Sequence, residues 1–356
     1  MTEAILKSEE RAILTLRNLY RRYGYTPYKM SRFEEYDLYV RSKDFLVSDQ
    51  IITFSGDGGR LMALKPDVTM SIVKNAPEEP SVVQKVYYNE NVYRDYREIN
   101  QAGLECVGDL GGYEIAEVVL LAAKSLELLG EAYVLDLSHM GLVTAVLESC
   151  GLEGERKKLA MECLRRKNLH GLEQLCGDKA EKIRTLASCH GNGSELLATV
   201  RGVLETEEEH RCWQELKALL EMLDGNGFGN HVRLDFSVGN NMRYYSGVVF
   251  RGYLEGIPTS VLSGGQYDKL PRKLGRKAKA VGFAIYVDLL QELQQGEDGA
   301  TVDTLILHDG TVDTRILTAA AQKAAAEGTV LVARKLPEER RWKQILRFEN
   351  GEAVSC

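Results

Sequence analysis

The chain has 356 residues, 44% of them hydrophobic and 27% charged, with a formal net charge of −7. That length carries two or three domains and a large core, and the acidic balance argues against a large nucleic-acid footprint. It has no run of about 18 apolar residues to span a membrane, and with its early acids and no apolar stretch the N-terminus does not read as a signal peptide, so a cytoplasmic location is the expectation.

Seven cysteines, an odd number without a secretory signal, read as free thiols in a reducing compartment. Cys150, Cys163, Cys176 and Cys189 recur every thirteen residues. Thirteen steps of a helix do not return to one face, and no C-x-x-C pair occurs, so no metal site is expected. There is no G-x-G-x-x-G or P-loop, and no cofactor is expected.

In chain order, "SEERAILTLRNLYRRYG" reads as an amphipathic helix over 8–24, with Ser8 as cap, acids first and arginines last. "DQIITFSGDGGRLMALKPD" reads as a hairpin turning at Gly56–Gly59. "SVVQKVYYNENVYRD" and "INQAGLECVGD" read as two strands joined by a polar loop. A long helix ending at Gly130, a strand "AYVLDLS" and another helix to about Gly151 follow. Residues 152–224 are helical in period with no strand, an insert that closes through the Gly/Asn-rich "DGNGFGNH" by about residue 230.

"VRLDFSV" alternates Val232, Leu234, Phe236 and Val238 with polar residues, one face buried and one polar. "GNNMRYYSGVVFRGY" follows directly as the next strand, with Tyr244 inward as core and Tyr245 facing a pocket. "SGGQYDKL" reads as a turn, and "AVGFAIYVDLLQELQQ" as a strand or loop entering a helix. "GEDGA" reads as a linker, and the tail as strand, helix, strand, helix. The assignment is α+β: an antiparallel sheet flanked by helices over 1–295, with a helical insert at about 152–230, and a short, truncated α/β unit over 301–356.

Four segments carry a resemblance: "LKPDVT" (64–69), "VYRDYREINQAGLECVGD" (92–109), "NNMRYYSGVVF" (240–250) and "SGGQYDKL…AVGFAIYVDLL" (263–290). In order and wording they resemble the catalytic domain of class II histidyl-tRNA synthetases over about residues 8–290. The family reads L-R-P-E-G-T, F-R-x-E-R with Q-x-G-x-E, R-G-L-D-Y-Y-T-G, and S-G-G-R-Y-D with G-F-A-x-G-x-E-R-L. The resemblance implies a class II aminoacyl-tRNA synthetase-like fold and a histidine pocket. Asp67 and Thr69 stand where the family holds the α-amino group, and Gln101 where it touches the backbone end of the amino acid. Glu105 and Tyr245 stand where it holds the two imidazole nitrogens, and Tyr267 forms a wall or a further contact. The chemistry is coherent, because an ammonium wants acceptors and each ring nitrogen wants its own partner.

The chain departs from the family where adenylate chemistry is done. Asn240 replaces an arginine, Arg243 an aspartate, Tyr96 a glutamate, Tyr286 a glycine, and Asp288-Leu289 the Glu-Arg pair; the proline of the first motif aligns with Ser31. Arg94 survives as a remnant of the nucleotide site. Losing two charge-stabilising arginines removes the main device for adenylyl transfer, so no catalytic residue is assigned. Singly, these residues have ordinary readings. Gln101 and Glu105 suit a solvated strand face, Asp67 a turn after Pro66, and Tyr245 a strand core. Their joint placement at one known pocket favours the functional reading.

A histidine pocket without adenylation chemistry and with a short tail resembles the regulatory subunits of ATP phosphoribosyltransferase. That resemblance implies a non-catalytic subunit in the first step of histidine biosynthesis. Its partner would be the short-form catalytic subunit and its effector histidine, with a homodimer inside a hetero-oligomer and neither membrane nor nucleic acid bound. A divergent histidyl-tRNA synthetase and a stand-alone histidine- or tRNA-binding module are the alternatives.

Overall fold

A computed structural model describes residues 7–41, 46, 50–77, 79, 81–238, 244–294, 301–337, 341–349 and 352–354. The chain divides into two compact units, Met1–Leu293 and Gln294–Cys356.

The first unit opens with α1 (Ser8–Arg22), which buries Leu16 and Tyr20. Glu9 and Glu10 sit at its positive end and Arg21 and Arg22 at its negative end, as its dipole favours. Its cap is Lys7, whose N–H donates to the Glu10 carboxylate at 2.9 Å, so Ser8 is the first helical residue and not the cap. After β1 (Thr26–Pro27), β2 (Phe33–Glu35) and α2 (Tyr36–Val40), the expected hairpin forms from β3 (Thr53–Ser55) and β4 (Leu61–Leu64). Gly58 and Gly59 turn it at positive φ, and β2 pairs on the other side of β4. Then come α3 (Thr69–Lys74), β5 (Gln84–Arg94) and β6 (Arg97–Gly108). The polar loop expected between these strands shrinks to Asp95 and Tyr96, both at positive φ, and pairing resumes at Arg94–Arg97.

The chain continues through α4 (Gly112–Leu129), β7 (Tyr133–His139) and α5 (Met140–Ser149) into the insert. The insert holds α6 (Gly154–Arg165), α7 (Leu169–Cys176), α8 (Ala180–Ser188), β8 (His190–Asn192), α9 (Gly193–Arg201) and α10 (Glu207–Gly225). β8 corrects the expectation of a strand-free insert: three residues too short to show a period gain their hydrogen bonds from β9 (Val232–Asp235). Last come β10 (Val248–Leu254), β11 (Leu262–Gln266), α11 (Lys269–Lys273) and β12 (Lys279–Tyr286). β11 replaces the expected turn, because the Gly-rich "LSGGQ" is held between β10 and β12 on both sides.

The main sheet has the order β1-β5-β6-β12-β11-β10-β7-β9-β8. It is antiparallel except at the parallel pairs β1–β5 and β7–β9. Helices α1 and α4 cover one face, where Leu104, Phe250, Phe283 and Ile285 join Val118, Leu121 and Ala122 in the core. The other face carries the polar row of β6: Gln101, Gly103 and Glu105 lie beside Tyr286, Ala284 and Gly282 of β12. Asp235 was expected on an open polar face. The structure buries it to 5% exposure under the insert, accepting from Lys167 and His190, both at 3.0 Å.

The second unit is a four-stranded sheet, β14-β13-β15-β16, built from β13 (Thr301–His308), β14 (Val330–Ala333), β15 (Arg341–Glu349) and β16 (Glu352–Val354), with helix α12 (Thr314–Glu327). The helix expected after β14 is instead β15, paired in parallel with β13 from Thr301–Arg341 to His308–Phe348. The expected linker residues 296–300 lie outside the described residues. Among the described residues no helix is long and apolar enough to cross a membrane.

Candidate functional site

The polar sheet face opens into a cavity of about 420 Å³, within the ordinary range for small-molecule sites. Asp67, Thr69, Gln101, Glu105, Tyr245 and Tyr267 all line it, and so does Arg94. Glycines lie beneath the side chains that line it. A Cβ on Gly103 would lie 2.7 Å from the Tyr88 hydroxyl, one on Gly265 2.8 Å from the Tyr245 ring, and one on Gly282 1.7 Å from Glu105 Oε2. Bare backbone at these points lets three side chains lie across the sheet instead of standing on it.

Glu105, 2% exposed, is the more buried of the cavity's two carboxylates. Thr69 Oγ1 donates to its Oε1 at 2.6 Å, and the Tyr267 hydroxyl donates to its Oε2. Burial pushes its carboxyl from 4.5 up to about 8, the two hydroxyls pull it down, and the charge of Asp67 raises it again. Thr69 was expected at an α-amino group. Its proton is committed to Glu105 and its hydroxyl also hydrogen-bonds with Tyr244, which leaves it only acceptor capacity toward a ligand donor.

Asp67 follows Pro66 just before α3. Its Oδ1 accepts from the N–H of Met70 at 2.8 Å, and its Oδ2 lies 3.5 Å from an Arg94 guanidinium nitrogen. Burial raises its pKa, against the pull of Arg94 and of the helix N–H groups. Arg94 also donates from Nε to Pro66 O at 2.5 Å. The surviving family arginine is therefore tied to the loop that carries Asp67.

Residues 244–247 precede β10 and are not strand, so the expected in-and-out alternation fails there. Tyr244 and Tyr245 both line the cavity, edge to face with centroids 4.8 Å apart, and Tyr244 also packs on Tyr267. Four polar side chains that line the cavity have no hydrogen-bond partner among the described residues: the Gln101 amide, the hydroxyls of Tyr88 and Tyr245, and the Arg251 guanidinium. Gln101 and Tyr88 are each 3% exposed. Buried polar groups left in this way want a polar ligand.

Tyr286, standing where the family has glycine, lines the cavity with its hydroxyl 3.4 Å from Ser263 Oγ. Leu289 packs against the main core and presents no charge to the site. Asp288 accepts from the Asn100 N–H at 2.8 Å. Asn240 and Arg243 lie outside the described residues. Sequence reasoning missed Tyr88 and Arg251 as lining residues. Tyr88 is brought in by its register partner Gly103, which no local pattern shows. Arg251 did leave a signal, a single charge inside the apolar run Val248–Leu254.

Comparison with known proteins agrees with this geometry. A family model described as Histidyl-tRNA synthetase matches residues 2–290. An ATP phosphoribosyltransferase regulatory subunit from Oceanobacillus iheyensis is 28% identical over 296 residues, covering 79% of this chain and 73% of its own. Among solved structures, an ATP phosphoribosyltransferase regulatory subunit/histidyl-tRNA synthetase from Bacillus halodurans superposes with a TM-score of 0.76 at 24% identity, over 97% of this chain and 95% of that one. The ATP phosphoribosyl transferase (HisG:HisZ) complex from Thermotoga maritima contains a chain that matches with a TM-score of 0.62 at 18% identity, over 78% of this chain and 96% of its own. These two likenesses show the fold. With the family model spanning the whole sheet and every strand that lines the cavity, the chain belongs to the histidyl-tRNA synthetase family.

Proposed function

We propose that this chain is the regulatory subunit of ATP phosphoribosyltransferase. It acts in the first step of histidine biosynthesis, activates a short catalytic subunit and carries feedback inhibition by histidine. The observation that carries the reading is a cavity with the partners for an imidazole and an ammonium but with Tyr286 and Leu289 where the synthetases have glycine and arginine. Glu105 and the Tyr245 hydroxyl supply one partner for each ring nitrogen, while Asp67, Thr69 and Gln101 supply acceptors for the ammonium. The relatives' name agrees with this division between retained binding and lost chemistry. The subunit performs no catalysis of its own, works in the cytoplasm and forms a homodimer within a hetero-oligomer.

Two assays test the reading. The purified chain is expected to show no histidine-dependent ATP–pyrophosphate exchange. It is also expected to co-purify with the short ATP phosphoribosyltransferase of the same genome, to raise its activity, and to make that activity histidine-sensitive. Exchange above background would instead favour a divergent histidyl-tRNA synthetase. Absence of a complex at micromolar concentrations would overturn the regulatory role.

A further inference from the structure

The cavity contains two arginines in different states. Arg94 is held by Asp67 and Pro66. Arg251, half-buried on β10, also lines the cavity, but it has no hydrogen bond or ion pair among the described residues. Directly across the strand pair stands Asp136 of β7, whose Oδ1 is buried and has no hydrogen-bond partner among the described residues. The nearest carboxylate in register thus does not take the guanidinium. At the other end of the cavity Glu105 has hydroxyl partners and, among the described residues, no cation. Among the described residues the site thus presents a carboxyl without a cation at one end and a guanidinium without an anion at the other.

Register fixes their separation. Arg251 pairs with Ser263, Ser263 with Ala284, and Ala284 with Gly103. Three strand spacings are roughly 14 Å, and Glu105 lies two residues further along, roughly 7 Å. Backbones roughly 16 Å apart, with long side chains reaching inward, leave a gap that suits a small molecule with a ring donor at one end and an anion at the other. The Ser263 and Tyr286 hydroxyls flank the basic end.

We propose that Arg251 is the residue that binds the α-carboxylate of the amino-acid ligand, and so separates histidine from carboxylate-free relatives of the same ring and amine. This rests on the histidine reading of the cavity and adds a partner for the one charged group of the ligand which that reading left without one. A guanidinium suits the task because its planar fork can donate two parallel hydrogen bonds to a carboxylate.

Calorimetric titration of the full chain with L-histidine and, separately, L-histidinol tests it, because histidinol keeps the imidazole and amine but carries a hydroxymethyl group for the carboxylate. The parent protein is expected to bind histidine about tenfold or more tighter than histidinol. Arg251→Gln is expected to weaken histidine by about that factor and to leave histidinol nearly unchanged, which closes the gap. Arg251→Lys, which keeps the charge and loses the fork, is expected to fall between. Arg251 makes no ion pair among the described residues, so folding is not expected to depend on it, and an unchanged thermal melt checks this. A parent-like histidine-to-histidinol ratio in Arg251→Gln overturns the assignment of Arg251 alone. A parent protein that binds neither compound overturns the histidine reading, and this inference with it.

Discussion

Glu105 is a carboxyl that burial keeps protonated near neutrality, and this has a thermodynamic consequence. Its pKa in the folded chain is pushed from 4.5 up to about 8. A raised pKa means that the folded state holds the proton more tightly than the unfolded state does. The favourable contribution is complete below 4.5 and is lost as pH rises through the interval up to about 8. Glu105→Gln keeps the shape and stays neutral at every pH. The melting temperature of Glu105→Gln relative to the parent is therefore expected to rise between about pH 5 and pH 9. Thermal melts at both ends measure it, and a difference that does not change with pH would show that Glu105 ionises as an ordinary carboxylate. In its neutral form Glu105 can donate to an unprotonated imidazole nitrogen, so near neutral pH the site does not need a charged ring.

At the scale of elements, the site depends on what β6, β11 and β12 leave out. Their glycines are not turn residues. Each lies in a paired strand, where glycine costs order and packs nothing. They are tolerated because side chains occupy the space above them. Gly282→Ala would place its Cβ 1.7 Å from Glu105 Oε2 and 2.5 Å from the Leu104 carbonyl, so the carboxylate must leave its two hydroxyl partners. The variant is expected to lose about 1–3 kcal/mol of stability, as overpacking does, and to lose histidine binding. Urea unfolding and calorimetry check both, and a variant that binds like the parent would show that Glu105 is not fixed in this position. The same elements explain a failed expectation. "YYSG" has the β-rich wording of a strand, but β10 begins only at Val248, and the turn before it directs both tyrosines into the cavity.

For the molecule as a whole, every residue that lines the cavity falls within 46–286, inside the first compact unit. A chain ended after Leu293 is expected to fold and to bind histidine with the affinity of the full chain, as an autonomous unit with its own core would. Circular dichroism melts and calorimetry measure this. Loss of folding or of binding would mean that the second unit supports the site. If the shortened chain binds histidine but no longer transmits it to the catalytic subunit, the second unit belongs to the signal and not to the sensor.

Much of this was already legible in the order of residues. The helix 8–22, the hairpin at Gly56–Gly59, the long helix up to Gly130 and the strands at 84–108 follow from local periods and turn chemistry, which need no distant partner. Asp67, Thr69, Gln101, Glu105, Tyr245 and Tyr267 were nameable because they sit in segments whose wording and order resemble one family. Their meeting in one cavity could not be derived from spacing. Asp67 and Tyr267 are 200 positions apart, and only the pairing of β5, β6, β12, β11 and β10 brings their segments to one face. Tertiary structure alone decided the rest. β8, β11 and β15 exist because neighbouring strands satisfy their backbone groups, which outweighs short length, glycine content or an apparent helical charge pattern. It also put Arg94 on Asp67 and left Arg251 in the cavity wall without a hydrogen bond or ion pair among the described residues. A charge in a sequence has no partner until the fold supplies one or withholds it.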